Sequence, residues 1–171
     1  MNSKITFNII GFYVCWWFSV FAATKENYYL GPVLVFIFLI IHVLKVINYN
    51  HEILFLFICY LIGFFIDTLF IRLGIIEFSG YLSENFNIAP LWVTGLWVCF
   101  GACISHSFKW FKRRYTILTL LGAISGPLIY FSASKVEVLI FNTSYYHLFS
   151  ISFCWALFLP FIVFISDRIV D

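Results

Sequence analysis

The sequence predicts an all-α, polytopic membrane helix bundle with six transmembrane helices and both termini in the cytoplasm. The chain of 171 residues is 63% hydrophobic, 23% aromatic and only 11% charged. Soluble domains are about 45–50% apolar and about 25% charged, so a soluble core of this size could not hide so much apolar surface. No linker is long enough to divide the chain, which predicts a single integral-membrane domain over residues 1–171.

Each predicted helix rests on an apolar segment long enough to span a bilayer, which takes about 20 mainly apolar residues. In chain order the segments are roughly 5–23, 29–48, 53–72, 90–108, 115–133 and 146–165. The first could be a secretory signal, because Lys4 precedes an apolar run that ends in small residues. We favour a transmembrane helix, since the rest of the chain is equally apolar and Trp16-Trp17 is unusual in a signal core. Residues 73–89 are interpreted as an extramembrane loop.

Basic residues orient the predicted bundle, because Lys and Arg concentrate in short cytoplasmic loops. Of the ten Lys and Arg residues, Lys25, Arg72 and Lys135 lie on one side. The other seven lie on the side that holds both termini and the loops after helices two and four. The segment FKWFKRRY at 108–115 is the strongest of these signals. Both termini are therefore expected in the cytoplasm.

Asp67 is the first candidate functional residue, because ionisable residues inside spans usually face the bundle interior and mark functional sites. It lies about 7 Å outward of the middle of helix three, at about 1.5 Å per residue. Gly63, Phe70 and Gly74 share its helical stripe, and small residues let neighbouring helices approach closely. Asp67 is therefore expected to point inward. Arg72 lies about 140° round the helix and is expected to reach the headgroups.

A buried carboxyl needs a partner or takes up a proton. Tyr130 of helix five and Ser152 of helix six are the candidate partners at the depth of Asp67. Gly126-Pro127 lies near the bilayer centre, where proline removes one backbone hydrogen bond and either kinks the helix or opens a pocket. The sequence leaves both interpretations open. The indole N–H of Trp97 also lies near the middle, where it needs a partner or faces a pocket.

A second polar group is predicted in the cytoplasmic half of the membrane. His42 lies about 5 Å and His106 about 10 Å from the centre, with Glu52, Asn8 and Ser105 in the same half or at its rim. A separation of about 12 Å along the membrane normal disfavours a metal site that joins Asp67 to His42. Glu52 and the two histidines could still converge, as metal ligands or as hydrogen-bonded helix contacts. We favour the second and expect no metal and no cofactor.

The most specific motifs are the series Gly31-Pro32…His42…Glu52…Asp67, the segment Pro90-x-Trp92…Leu96-Trp97, Ser107-x-x-Trp110 and Gly126-Pro127-x-x-Tyr130. With them, nearly the whole chain resembles a family of small, uncharacterised bacterial inner-membrane proteins known only as a domain of unknown function. Relatives carry Gly-Gly-Pro where this chain has Ser125-Gly126-Pro127, a mild departure. The resemblance implies a multi-pass location in the bacterial inner membrane and no established activity. Family members are often encoded near cyclopropane-fatty-acid-synthase-like proteins, which implies, by association, a role with membrane lipids.

Three functions are compatible with these residues. The first is handling or modification of a membrane lipid in a polar pocket around Asp67. Its acid–base residues would be Asp67 and His42, and the residues expected to bind substrate are Tyr130, Trp97, Glu52, His106, Gly126 and Pro127. The alternatives are a small proton-coupled transporter, with Asp67 and His42 on a relay path, and a non-catalytic scaffold subunit.

No nucleophile motif, phosphate-binding loop or metal signature occurs in the sequence, so it does not establish an enzyme. The expected partners are membrane lipids, with other membrane proteins or a second copy of the chain as further candidates. Nucleic acid is not expected.

Overall fold

The computed structural model describes residues 3–45, 50–81, 87–111, 113–141 and 143–170. Within them the chain forms α1 (Ser3–Thr24), α2 (Leu30–Lys45), α3 (Asn50–Arg72), α4 (Leu91–Ser107), α5 (Tyr115–Ser134) and α6 (Tyr145–Ile169), with a 3-10 turn at Lys109–Phe111. Two short strands, β1 (Ile76–Phe78) and β2 (Leu139–Phe141), complete the described part. The predicted all-helical class is confirmed, and the helix boundaries agree with the predicted ones to within a few residues.

Four helices, α1, α3, α5 and α6, are long and apolar enough to cross a membrane. The other two are apolar but shorter, with 16 residues in α2 and 17 in α4. At about 1.5 Å per residue they extend about 24–26 Å, against a hydrocarbon core of about 30 Å. Length and composition therefore support four membrane-spanning helices, but not the six that the sequence predicted.

The outer surface of the bundle is apolar. Large side chains such as Phe36, Phe65 and Phe149 are exposed by 65%, 64% and 70% of their areas. Monomeric soluble proteins rarely expose contiguous apolar patches larger than a few hundred Å². Several apolar helices with apolar outer faces indicate a membrane-embedded protein.

Several close helix contacts depend on a glycine, and Gly63 and Gly122 are two examples. A Cβ atom on Gly63 of α3 would lie 2.0 Å from the Trp97 ring of α4. A Cβ on Gly122 of α5 would lie 2.2 Å from the carbonyl oxygen of Trp155 in α6. Small residues allow such approaches. The stripe of α3 that carries Gly63 and Asp67 therefore faces another helix, as the sequence predicted.

Gly74 lies just beyond the end of α3, as the predicted helix boundary implied, and it caps the helix instead of extending the stripe of Gly63 and Asp67. It has a φ of +67°, a conformation that glycine adopts without strain. The Ile75 N–H donates to the Phe70 carbonyl at 2.9 Å, and the Gly74 N–H donates to the Ile71 carbonyl at 3.0 Å. This pair of bonds is the Schellman motif, which satisfies carbonyls at the end of a helix.

The two strands form an antiparallel ribbon, with Ile76 opposite Phe141 and Phe78 opposite Leu139. The end residues of each strand are buried and the middle residue is exposed. The interpretation of residues 73–89 as a loop missed β1, because three residues are too few to show an alternating pattern. Residues 82–86 of that segment lie outside the described part of the chain. The ribbon joins the α3–α4 connection to the α5–α6 connection.

Candidate functional site

Asp67 is fully buried between three helices. The Trp97 indole N–H of α4 donates to Oδ2 at 2.6 Å, and the Tyr130 hydroxyl of α5 donates to Oδ1 at 2.5 Å. The contact with Tyr130 was expected from the sequence, whereas Trp97 takes the place suggested for Ser152. Arg72 is exposed. Each oxygen of the carboxyl group thus faces one neutral donor.

The carboxyl group lines an apolar cavity of about 370 Å³. Phe12, Tyr13 and Trp16 of α1 form one side, and Ser125, Leu128 and Ile129 of α5 form the other. Tyr13 and Leu128 are 57% and 56% exposed. The cavity therefore reaches the flank of the bundle between α1 and α5.

The β-ribbon covers the end of this cavity. Phe78 of β1 lines it together with Leu139 of β2, and the Phe78 ring lies 5.9 Å from the ring of Trp92 and 6.4 Å from that of Tyr130. The Tyr81 hydroxyl accepts the Phe78 N–H at 3.2 Å, and burial raises the pKa of Tyr81, so this hydroxyl stays neutral. The ribbon that sequence reasoning missed is thus part of the cavity wall.

Trp155 of α6 completes the wall behind Trp97. The two indoles stack with centroids 5.0 Å apart and planes at 27°. Trp155 Nε1 is buried, and the Trp155 ring lies 6.5 Å from the ring of Tyr130. The Trp155 ring thus holds Trp97 in place by stacking.

Gly126 and Pro127 support this wall from behind. A Cβ on Gly126 would lie 2.4 Å from the Trp155 ring. The α5 helix continues through Pro127 without a break. In the described structure the α5 residues that line the cavity include Ser125 and Leu128 but neither Gly126 nor Pro127. The glycine thus acts through packing against Trp155.

Glu52 is the centre of a second buried cluster at the other end of α3. Its Oε1 lies 3.1 Å from His42 Nε2 and 2.6 Å from His106 Nε2, and it accepts the Ser105 hydroxyl at 2.8 Å. His42 comes from the end of α2, Glu52 from the first turn of α3, and the other two residues from the end of α4. From their depths, His42, Glu52 and His106 could converge, and in the structure they do.

Asn8 of α1 holds the far side of the His42 ring. His42 Nδ1 lies 2.8 Å from Asn8 Oδ1, and both side chains are fully buried. With the Asn8 amide in this orientation Nδ1 carries the hydrogen, because an amide oxygen can only accept. A neutral His42 ring then presents the lone pair of Nε2 toward Glu52. The Cys103 thiol donates to the Asn8 backbone carbonyl at 3.1 Å, which ties α1 to α4 at the same level.

The eight predicted site residues therefore fall into two groups. Asp67, Trp97 and Tyr130 meet at the cavity, with Gly126-Pro127 behind them. Glu52 and the two histidines meet about 22 Å away, since Asp67 follows Glu52 by fifteen positions in α3. Helix depth was the signal that separated the groups in the sequence. Whether two residues touch also depends on how each helix is rotated about its axis, and depth does not give this rotation.

The fold and the two clusters define a membrane-embedded, all-helical protein whose activity is not established. The sequence profile of DUF2878, described as a protein of unknown function, matches residues 5–161. The chain belongs to this family, as the resemblance implied. Comparison with curated proteins and with solved structures gave no significant match.

Proposed function

We propose that all six helices of this chain cross the inner membrane of a bacterium and that both termini lie in the cytoplasm. The buried cluster around Glu52, called the inner cluster below, supports alternating directions for the first four helices. It joins the start of α1, the end of α2, the start of α3 and the end of α4 through Asn8, His42, Glu52 and His106. These four termini meet at one end of the bundle, as successive spans require.

The last two helices and the basic residues follow the same arrangement. The rings of Tyr115 and Phe164 lie 6.5 Å apart, so the start of α5 is beside the second half of α6. Arg114 lies over the Trp110 ring and Arg168 over the Phe164 ring at this end. Cytoplasmic loops carry the excess of Lys and Arg. The end with the inner cluster is therefore assigned to the cytoplasm.

The proposed activity is handling of a membrane lipid in the Asp67 cavity, either directly or as an accessory to a lipid-modifying enzyme. The observation that carries this proposal is an apolar cavity of about 370 Å³ with a buried carboxyl group in its wall. Ligand sites are typically concave, mainly apolar and supplied with a few oriented polar groups. An acyl or isoprenoid chain would lie against the aromatic walls, and a hydroxyl or amide of the lipid would meet Asp67.

The direction of the cavity supports a ligand from the bilayer. Its exposed lining residues, Tyr13 and Leu128, lie on α1 and α5. These two helices would face lipid on the flank of the bundle. A chain could enter sideways without crossing a polar surface.

A proton-coupled transporter is favoured less by the packing. A relay from Glu52 to Asp67 would cross about 22 Å of the bundle. The described side chains between them along α3 and α4 include Phe55, Cys59 and Cys99, which are exposed by 0–1% of their areas. A packed apolar layer of this kind supports two separate sites.

The first test compares the membrane lipids of a deletion strain, the wild type and an Asp67→Asn strain by mass spectrometry. The expected result is the same lipid species altered in the deletion and in Asp67→Asn. Replacing Asp67 by Asn keeps the shape and removes the acid, so a shared change assigns the effect to this group. Unchanged lipids in both strains, with intact growth under membrane stress, would contradict lipid handling and favour the scaffold.

The second test blocks the cavity and uses a matched serine as its control. Ser132 of α5 lines the cavity and Ser150 of α6 does not, within the described lining. Both hydroxyls donate to the carbonyl four residues earlier in a helix. Ser132→Phe should remove the lipid that co-purifies with the protein, and Ser150→Phe should keep it. Equal lipid in both variants would place the ligand elsewhere.

A further inference from the structure

We propose that His42, Glu52 and His106 bind a divalent transition-metal ion at the cytoplasmic end of the bundle. In the described residues this is the group of side chains that converges closely enough, since each offers one ligand atom and these three atoms lie within 4.8 Å of one another. Imidazole and carboxylate suit ions such as Zn²⁺. The site is distinct from the lipid cavity and does not depend on the function proposed there.

The distances are close to those of a tetrahedral site. Bonds of about 2.0–2.1 Å place neighbouring ligand atoms about 3.3 Å apart. The separation between His42 Nε2 and Glu52 Oε1 is 3.1 Å. That between His106 Nε2 and the same oxygen is 2.6 Å, so the His106 ring would move outward by about 0.7 Å.

The surrounding groups are those that orient metal ligands. A ligating histidine usually donates its other ring N–H to a carbonyl or carboxylate, which fixes the tautomer. Asn8 Oδ1 provides this acceptor for His42 Nδ1 at 2.8 Å. The lone pair of Nε2 then points toward the proposed ion. The Ser105 hydroxyl donates to Glu52 at 2.8 Å and holds the carboxylate in place.

Charge and access also favour a cation here. Glu52 is 4% exposed, and a buried carboxylate is stabilised when it pairs with a positive charge or coordinates a metal ion. A divalent ion bound by one carboxylate and two neutral imidazoles supplies this charge. The His106 side chain is 15% exposed, which gives the ion a route from the cytoplasmic side. Three protein ligands leave one coordination position open, the pattern of zinc sites that also bind water or substrate.

The competing arrangement is a hydrogen-bonded cluster without metal. Turning the Asn8 amide by 180° would let Nδ2 donate to His42 Nδ1. His42 Nε2–H would then donate to Glu52. In this cluster a proton on His42 Nε2 takes the place of the ion, and a metal ion would have to displace it. Weak or absent binding in a metal titration therefore indicates this arrangement.

The experiment uses full-length protein with a tag that lacks histidine, purified in detergent and stripped with a chelator. Co²⁺ is titrated while the visible absorption is recorded, and Zn²⁺ is then added in competition. The wild type should bind one Co²⁺ per chain with the intense visible bands of a four- or five-coordinate ion, and Zn²⁺ should displace it. His42→Gln, Glu52→Gln and His106→Gln should each abolish the bands.

His51→Gln is the matched control, because His51 is an exposed histidine next to Glu52 in the chain. It should bind Co²⁺ as the wild type does. Asn8→Ala keeps all three ligands and should weaken binding about 10–100-fold, the usual effect of removing a group that orients a ligand.

The wild type alone can overturn the proposal, so misfolding of a variant does not decide the outcome. A stripped wild type that takes up no Co²⁺ and gains no thermal stability from Zn²⁺ would establish the hydrogen-bonded cluster instead. Binding by His51→Gln equal to that of the wild type, with loss in the three ligand variants, would establish the metal site. Neither result bears on the lipid cavity at the opposite end of α3.

Discussion

The two carboxylates of α3 are buried to a similar degree but are satisfied in different ways. Asp67 uses one oxygen for the Trp97 N–H and the other for the Tyr130 hydroxyl. In the described residues, the polar contacts of Glu52 all converge on Oε1, from two imidazole nitrogens and a serine hydroxyl. One carboxyl group lies beside an apolar cavity, and the other lies among groups that bind cations.

This difference shows that the depth of a polar residue in a membrane span is not enough to assign its function. Around Asp67 the donors are neutral and have large apolar bodies, so they form the wall of the cavity as well as the hydrogen bonds. Around Glu52 the partners can carry positive charge or bind a metal ion. Substitutions at the two sites should therefore differ in the size and the kind of their effects.

The largest effect is expected from Gly63→Ala beside the Asp67 site. The new Cβ would lie 2.0 Å from the Trp97 ring, which is held by Asp67 and by Trp155. Overpacking of this kind costs about 1–3 kcal/mol, and here the rigid ring leaves little relief, so we expect about 3 kcal/mol. The free energy of unfolding is measured by SDS titration in mixed micelles.

Gly95→Ala is the matched control for this substitution. Its Cβ would lie 3.5 Å from Val35, an ordinary contact distance. Alanine is favoured over glycine inside a helix by about 0.8–1.0 kcal/mol, so the control should be neutral or more stable. Equal losses at both positions would show that Gly63 is not pressed against Trp97.

The next effect concerns the two donors of Asp67. Tyr130→Phe removes a hydroxyl and Trp97→Phe removes an indole N–H, and each leaves one buried carboxylate oxygen without its partner. We expect each variant to lose about 1–3 kcal/mol. Tyr13→Phe, an exposed tyrosine of the same cavity, should lose almost nothing.

A double-mutant cycle assigns these losses to the carboxyl group. Combining either variant with Asp67→Asn should give a coupling of about 0.5–3 kcal/mol. Additive effects would mean that the two rings stabilise the bundle through packing only. Asp67 would then have no special environment to distinguish it from Glu52.

The sequence predicted those features that depend on local patterns. Apolar segments gave the helices, and the helical stripe with Gly63 gave the inward direction of Asp67. The depth of Tyr130 in helix five correctly predicted it as one of the partners of Asp67. The bond from Trp97 to Asp67 was not predicted, because a contact between helices depends on their rotation. The β-ribbon was not predicted either, because a three-residue strand has no period to detect. Depth likewise placed His42, Glu52 and His106 in one half of the membrane without showing that they touch.

The two histidines of the inner cluster should also differ in their contribution to stability. His42 is fully buried and contacts both Glu52 and Asn8, whereas the His106 side chain is 15% exposed and contacts Glu52. His42→Ala leaves the buried Asn8 Oδ1 without its partner and removes one of the three contacts of Glu52, whereas His106→Ala removes only a contact of Glu52. At about 1–3 kcal/mol per unsatisfied group, His42→Ala should lose about 1–2 kcal/mol more.

This comparison is measured by SDS titration in the presence of chelator, so that metal binding does not contribute to the free energy of unfolding. Adding Zn²⁺ should stabilise the wild type and neither variant, if the inner cluster binds metal. Equal losses for the two histidines in chelator would show that the contact with Asn8 contributes nothing. His42 would then be no more deeply integrated than His106.

The smallest effect is expected from Arg72→Gln, which tests whether the Asp67 carboxyl group has a charged partner. Arg72 follows Asp67 by five residues, which places it about 140° round the helix, and it is exposed. The free energy of unfolding should change by no more than about 0.5 kcal/mol, and the co-purified lipid should be unchanged. A loss as large as that of Tyr130→Phe would make the guanidinium a long-range partner of Asp67. The Asp67 site would then resemble the Glu52 cluster, because a group that can carry positive charge would hold each carboxylate. The contrast between the surroundings of the two carboxylates would not stand.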